Sequence, residues 1–198
     1  MINIFLACLL SSIIVLSYGI TFSNLILKKK TNNTSYNELG LFGFIIIALI
    51  GLIINFIFPL NRIVGTFFLI FAAIYFIKSF INSSSKDLLV YNIIFTSFIT
   101  FSIITLSNIN RPDAGLYHLP YISLLNENKI IFGITNLHYR FGHTSSFQYI
   151  SALYHNYFFK NEFLNLPLAS LFSFYVLFML EKFREIQKKN NDYLIVIF

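Results

Sequence analysis

Long apolar runs alternate with short polar links along most of this chain. Ile4 to Leu27 is the first run, followed at once by Lys28-Lys29-Lys30. Leu39 to Phe58 carries no charge and stops at Pro59. After the link Leu60-Asn61-Arg62, a third run covers Ile63 to Ile81, with Lys78 placed to snorkel from its last turn. Asn82 to Asp87 is a polar turn, Leu88 to Leu106 a fourth run and Phe163 to Leu180 a fifth. A helix needs about 20 apolar residues to cross the hydrocarbon of a bilayer, so each run predicts a spanning helix. Glu181 to Asp192 reads as a charged link, and Tyr193 to Phe198 as the start of a sixth span cut short, as in an N-terminal portion of a longer polypeptide. The fold class expected is all-α: one multi-pass transmembrane bundle over residues 1–198.

The pattern changes between Ser107 and Glu162, a stretch far longer than the other links. Long connections in compact proteins are functional or disordered. Leu, Ile, Phe and Tyr run through this one, which argues for a folded structure. Leu116, Leu119, Ile122 and Leu125 recur at helical spacing, so Ala114 to Asn126 predicts an amphipathic helix along the membrane surface, weakened by Pro120. Ser145-Ser-Phe-Gln148 has the form of a capping box. Phe147, Ile150, Leu153, Tyr154 and Tyr157 then predict a second surface helix, joined to the first by Lys129 to Thr144.

Composition agrees with a lipid environment. Hydrophobic residues make up 57% and charged residues 11%, with mean hydropathy +0.72, where a soluble domain carries roughly 25% charged residues. The net charge of +6 does not point to nucleic acid, because the basic residues cluster at the ends of apolar runs, where they set topology. The single cysteine, Cys8, lies inside the first run and cannot form an intrachain disulfide. A cleavable signal peptide would carry its positive charge before the apolar run. Here the lysines follow it, which favours an uncleaved anchor with its N-terminus outside. Placing the links after spans one, three and five inside collects nine of the 14 Lys and Arg residues and puts loop 107–162 on the extracytoplasmic side.

That loop concentrates the candidate chemistry. Asp113 is the candidate catalytic group, a general base sheltered by Leu116, Tyr117 and Tyr121; an N-cap for the following helix is its structural alternative. Arg140 and Arg111 have the planar fork that grips a phosphate, or they sit at the interface with their stems in lipid. His118, His138, His143 and His155 show no metal-ligand spacing, so neither a metal nor a cofactor is expected. Gly115, Gly133 and Gly142 serve tight turns and close approach.

Asp113-Ala-Gly-Leu-Tyr-His-Leu119 and Asn136-Leu-His-Tyr-Arg-Phe-Gly142, followed by Ser145-Ser146, resemble an uncharacterised family of bacterial polytopic membrane proteins linked to surface-polysaccharide production. The layout is also similar to GT-C class glycosyltransferases, helical bundles that transfer sugars from polyprenyl-phosphate donors. That resemblance implies a bacterial inner-membrane protein with a lipid-linked sugar or glycan as partner. Asp113 would activate the acceptor hydroxyl, and Arg140 and His138 would face the donor phosphate. Tyr117, His118 and Arg111 join them as candidate substrate contacts. The loop follows the fourth span rather than the first, and its motif holds one carboxylate where many such enzymes show a pair. The alternative is a non-catalytic transport, polymerisation or scaffold component of the same kind of pathway. Transporters place ionisable groups within their spans, and spans one, two and four have none. A scaffold would use the aromatic face of Tyr117, Tyr121, Tyr149 and Tyr154.

Overall fold

The computed structural model describes residues 2–25, 34–83, 85–106, 114–142, 145–159 and 164–189. Five long helices form the bundle: α1 (Ile2–Leu25), α2 (Tyr36–Ile57), α3 (Arg62–Asn82), α4 (Lys86–Leu106) and α7 (Leu166–Lys189). All five are long and apolar enough to cross a membrane. Two short helices, α5 (Leu119–Glu127) and α6 (Ser146–Leu153), lie between α4 and α7. No strand occurs among the described residues. Local chemistry sets the helix ends. Ser35 and Asn61 cap α2 and α3 by accepting from the amides of Glu38 and Val64, at 3.1 and 3.0 Å. Phe58 turns extended ahead of Pro59, which disfavours helical backbone at the residue before it.

Helix α1 is the centre of the bundle. Its apolar window is 56% buried, against 17–33% for the other four. Lipid offers no hydrophobic drive for one helix to leave it for another, so close approach and hydroxyl contacts do the holding. A Cβ at Gly19 would stand 1.8 Å from the carbonyl oxygen of Leu39, and one at Gly43 2.1 Å from that of Val15. The α1 and α2 backbones therefore touch. On its other faces α1 presents a seam of serines. Ser12 meets Ser97 of α4 at 3.1 Å, Ser11 meets Ser170 of α7 at 2.7 Å, and Ser17 donates to the Ala72 carbonyl of α3 at 2.7 Å. Thr100 of α4 and Ser173 of α7 close the ring at 2.8 Å.

Three expectations need correction. The charged stretch after Leu180 is helical over its described part. Helix α7 runs through it to Lys189, with Lys182 and Glu185 paired at 3.0 Å one turn apart; charged residues of high helix propensity continue a helix wherever the bilayer ends. The first loop helix is not uniform either. Ala114–His118 is a π-helical turn, and the α-helix begins only at Leu119. That change of winding leaves Pro120 in the first turn of α5, where its missing amide has no partner to lose. Finally, α6 is not a surface helix. Six of its eight residues are buried, and it sinks between α2, α3, α5 and α7. Gly51 and Gly65 admit it: a Cβ on Gly65 would meet the carbonyl oxygens of His155 and Leu153 at 2.6 and 2.7 Å. The sixth partial span lies outside the described residues.

Gly19→Val and Gly43→Val would each push α1 and α2 apart and lose roughly 3 kcal/mol or more, read as reduced thermal stability in detergent. Gly115→Ala, with nothing within 4 Å of the added carbon, is the control and should leave stability unchanged or raise it by about 0.5 kcal/mol.

Candidate functional site

The end of the bundle that carries α5 and α6 is closed by main-chain bonds as well as packing. The amide of Leu60, in the α2–α3 turn, donates to the Leu125 carbonyl of α5 at 2.8 Å, and the amide of Ile130 donates back to the Asn55 carbonyl of α2 at 2.9 Å. The fully buried Asn55 adds its side-chain amide to the Asn128 carbonyl at 3.0 Å. The segment after α5 turns at Gly133, whose φ of 72° suits glycine, and passes through two short 3-10 turns, Ile134–Asn136 and Tyr139–Gly142. Gly142 lies against Thr135, so two of the three loop glycines serve a turn or a close contact. The capping box expected at Ser145 forms, with Ser145 accepting from Phe147 and Gln148 reaching back to the Ser145 amide at 3.1 Å.

These turns bring the two halves of the polar motif together. The Arg140 guanidinium carbon lies 5.0 Å from the centre of the Tyr117 ring and 5.7 Å from that of Tyr139. Its Nε donates to the Tyr139 hydroxyl at 2.9 Å. Tyr117 packs on His118 at 4.2 Å, and His118 Nδ1 faces the Gln148 side-chain amide of α6 at 3.4 Å. His138 stacks on Tyr139 at 5.1 Å, and its Nδ1 accepts from the Arg140 amide at 3.2 Å. A guanidinium between aromatic faces is held by cation–π attraction without surrendering its charge. Tyr117, His118, His138 and Arg140 thus form one cluster on the half-exposed surface of the cap. Asp113, Arg111 and His143 lie outside the described residues.

The aromatic face expected for docking is not a surface. Tyr121, Tyr149 and Tyr154 are 3%, 6% and 1% exposed, because the helices that carry them pack inward. Burial pushes the Tyr121 phenol well above its usual value, so it stays neutral. Tyr154 reaches the bundle centre, where its hydroxyl meets Ser11 of α1 at 3.0 Å.

Helix α5 divides the cap. One face (Tyr121, Leu124, Leu125) looks over a largely apolar cavity of about 440 Å³, walled by Ala48, Leu49 and Leu52 of α2 and rimmed by Lys129. The opposite face (Leu119, Ser123, Asn126) lines a cleft of about 780 Å³ that also holds Gly115, Arg62, Glu127 and His155. There Arg62 Nε donates to His155 Nε2 at 2.9 Å. The apolar runs do not mark this pair, since Arg62 reads as part of a short link and His155 as one isolated histidine. The signal in the sequence was Asn61-Arg62 at the start of a span, a cap followed by a charge that cannot enter it.

A fold of five apolar spanning helices closed by a polar helical cap defines a multi-pass membrane protein. The chain matches, over residues 1–198, the family model described as a domain of unknown function, DUF8201, and belongs to that family. No curated protein and no solved structure matches it.

Burial first, and the Arg62 charge second, hold the His155 pKa below its ordinary 6.5. The unfolded chain therefore takes up this proton at a higher pH than the folded one, and stability should fall as pH drops below 6.5. His155→Gln keeps an acceptor for Arg62 and removes the titration. Thermal unfolding between pH 7.5 and pH 5 should show a smaller loss in the variant than in the wild type.

Proposed function

We propose that this protein is a membrane glycosyltransferase-like enzyme. It uses a polyprenyl-phosphate-linked sugar in cell-surface glycan synthesis and works at a cap that faces away from the cytoplasm. The observation that carries the reading is the seating of Arg140 against Tyr117, which in turn packs on His118. It joins the motif that follows Asp113 in the chain to the arginine suited to a phosphate, across more than twenty residues of sequence. In the reaction, Asp113 takes the proton of the acceptor hydroxyl as its oxygen attacks the anomeric carbon. The bond from that carbon to the lipid phosphate breaks, and its electron pair leaves with the phosphate oxygen. Arg140 matches the charge that develops there, with Arg111 as a second cation and His138, His118 and Tyr117 as contacts to the donor. A single displacement inverts the anomeric centre. The apolar cavity between α2 and α5 suits the hydrocarbon that such a donor carries.

A non-catalytic transport, polymerisation or scaffold component is the second reading. Against ion-coupled transport, the buried polar side chains of the described spans are Ser, Thr and Asn only. Against a scaffold, three of the four tyrosines it would need are buried.

Asp113→Asn, tested in the host cell with surface glycan as the readout, should lower product about 100-fold or more while the protein still accumulates in the membrane. Product at the wild-type level would reject the catalytic role of Asp113. Arg140→Lys keeps the charge but loses the fork and the ring contacts, and should lower product about 10-fold; no change would remove Arg140 from the donor site.

A further inference from the structure

We propose that the cleft on the far side of α5 from Arg140 binds a phosphodiester lipid headgroup that carries a hydrogen-bond donor beyond its phosphate, as an ethanolamine headgroup does. This site does not depend on sugar transfer at the Asp113 motif.

Arg62 supplies the phosphate end. It is the first residue of α3, where the amides of a helix start add to its positive potential. Its Nε is fixed on His155 Nε2 at 2.9 Å, and this histidine can accept only as a neutral ring. The bond uses one edge of the guanidinium and sets its plane, leaving the two terminal nitrogens as a fork. Among the described residues no carboxylate pairs with Arg62, although Glu127 lines the same cleft. A bidentate grip on phosphate oxygens is the interaction that such a fork makes best.

Glu127 supplies the other end. Its Oε1 accepts from the Ser123 hydroxyl one turn earlier, at 3.1 Å, which anchors the carboxylate on the exposed face of α5. A negative group facing the cleft works against a small, densely charged anion and in favour of a ligand that brings an ammonium or hydroxyl with its phosphate. Ile63, Leu119, Ile122 and Leu164 give the cleft an apolar wall, beside the polar Asn61, Asn126 and Tyr157. It continues into the outward apolar face of α3, where Ile63 and Phe67 are more than half exposed. The chain of an amphiphile can therefore leave the cleft along α3 while its head stays at the cap. A volume of about 780 Å³ falls in the range of small-ligand sites.

The test is a titration of the purified protein in maltoside micelles with dihexanoyl-phosphatidylethanolamine, followed by native mass spectrometry. Dihexanoyl-phosphatidylcholine and inorganic phosphate run in parallel. The wild type should bind the ethanolamine lipid more tightly than the choline lipid, whose headgroup cannot donate. Arg62→Gln should weaken binding about 10-fold or more, and Arg62→Lys by less. Glu127→Gln should retain binding and lose the preference for ethanolamine. Thermal unfolding of each variant in the same micelles checks that the bundle is intact. Three results would overturn the proposal: equal binding by Arg62→Gln, a loss as large in the control Lys129→Gln, which marks generic interfacial charge, or phosphate alone displacing the lipid at matched concentration, which marks a free-anion site.

Discussion

The free carbonyls at the ends of α2 and α5 are the constraint on which the cap depends. A helix leaves its last carbonyls without internal partners, and at the mouth of an apolar bundle water is a poor substitute. Here each end serves the other. Leu60, just past α2, bonds the last turn of α5, and Ile130, just past α5, bonds the last turn of α2. Asn55 is the one large polar side chain fully buried in α2, and it spans the gap between them. Without these bonds α5 would rest on the packing of Tyr121, Ile122 and Leu125 alone. The two cavities on its faces share it as their common wall.

With α5 fixed, the chemistry of the cap follows from which face each residue occupies. Residues separated by three or four positions share a face, so Tyr121, Leu124 and Leu125 meet one cavity while Leu119, Ser123 and Asn126 meet the other. The π-helical turn ahead of α5 sets this phase. It carries Tyr117 toward Arg140 and Gly115 toward Arg62. A short motif therefore contributes to both sides of the cap at once, and each side has its own arginine.

The five spans were legible in the sequence because twenty apolar residues in a row have few other solutions, and their observed ends differ from the apolar runs by a few residues. The end of α7 was not, since hydropathy reports where lipid stops and a helix does not stop with it. The capping box at Ser145 was legible because it is local. The burial of α6 was not. Its stripe of Phe147, Ile150, Leu153 and Tyr154 fits a helix on lipid as well as one sunk among helices, and only Gly51 and Gly65 on other elements decide between them. The cluster of Arg140, His138, Tyr117 and His118 could be gathered by motif, whereas Asn61-Arg62 marks a helix start but nothing in the sequence pairs Arg62 with His155, 93 positions away.

The hydroxyl seam on α1 ties this helix to elements far along the chain. Ser11 reaches both Tyr154 of the cap and Ser170 of α7, so its partners emerge from the ribosome 143 and 159 residues after it does. During synthesis Ser17 finds its partner when α3 arrives and Ser12 when α4 does, while Ser11 waits for the cap and α7. The seam is therefore filled in chain order, and a chain halted before α6 would leave Ser11 without either of these partners.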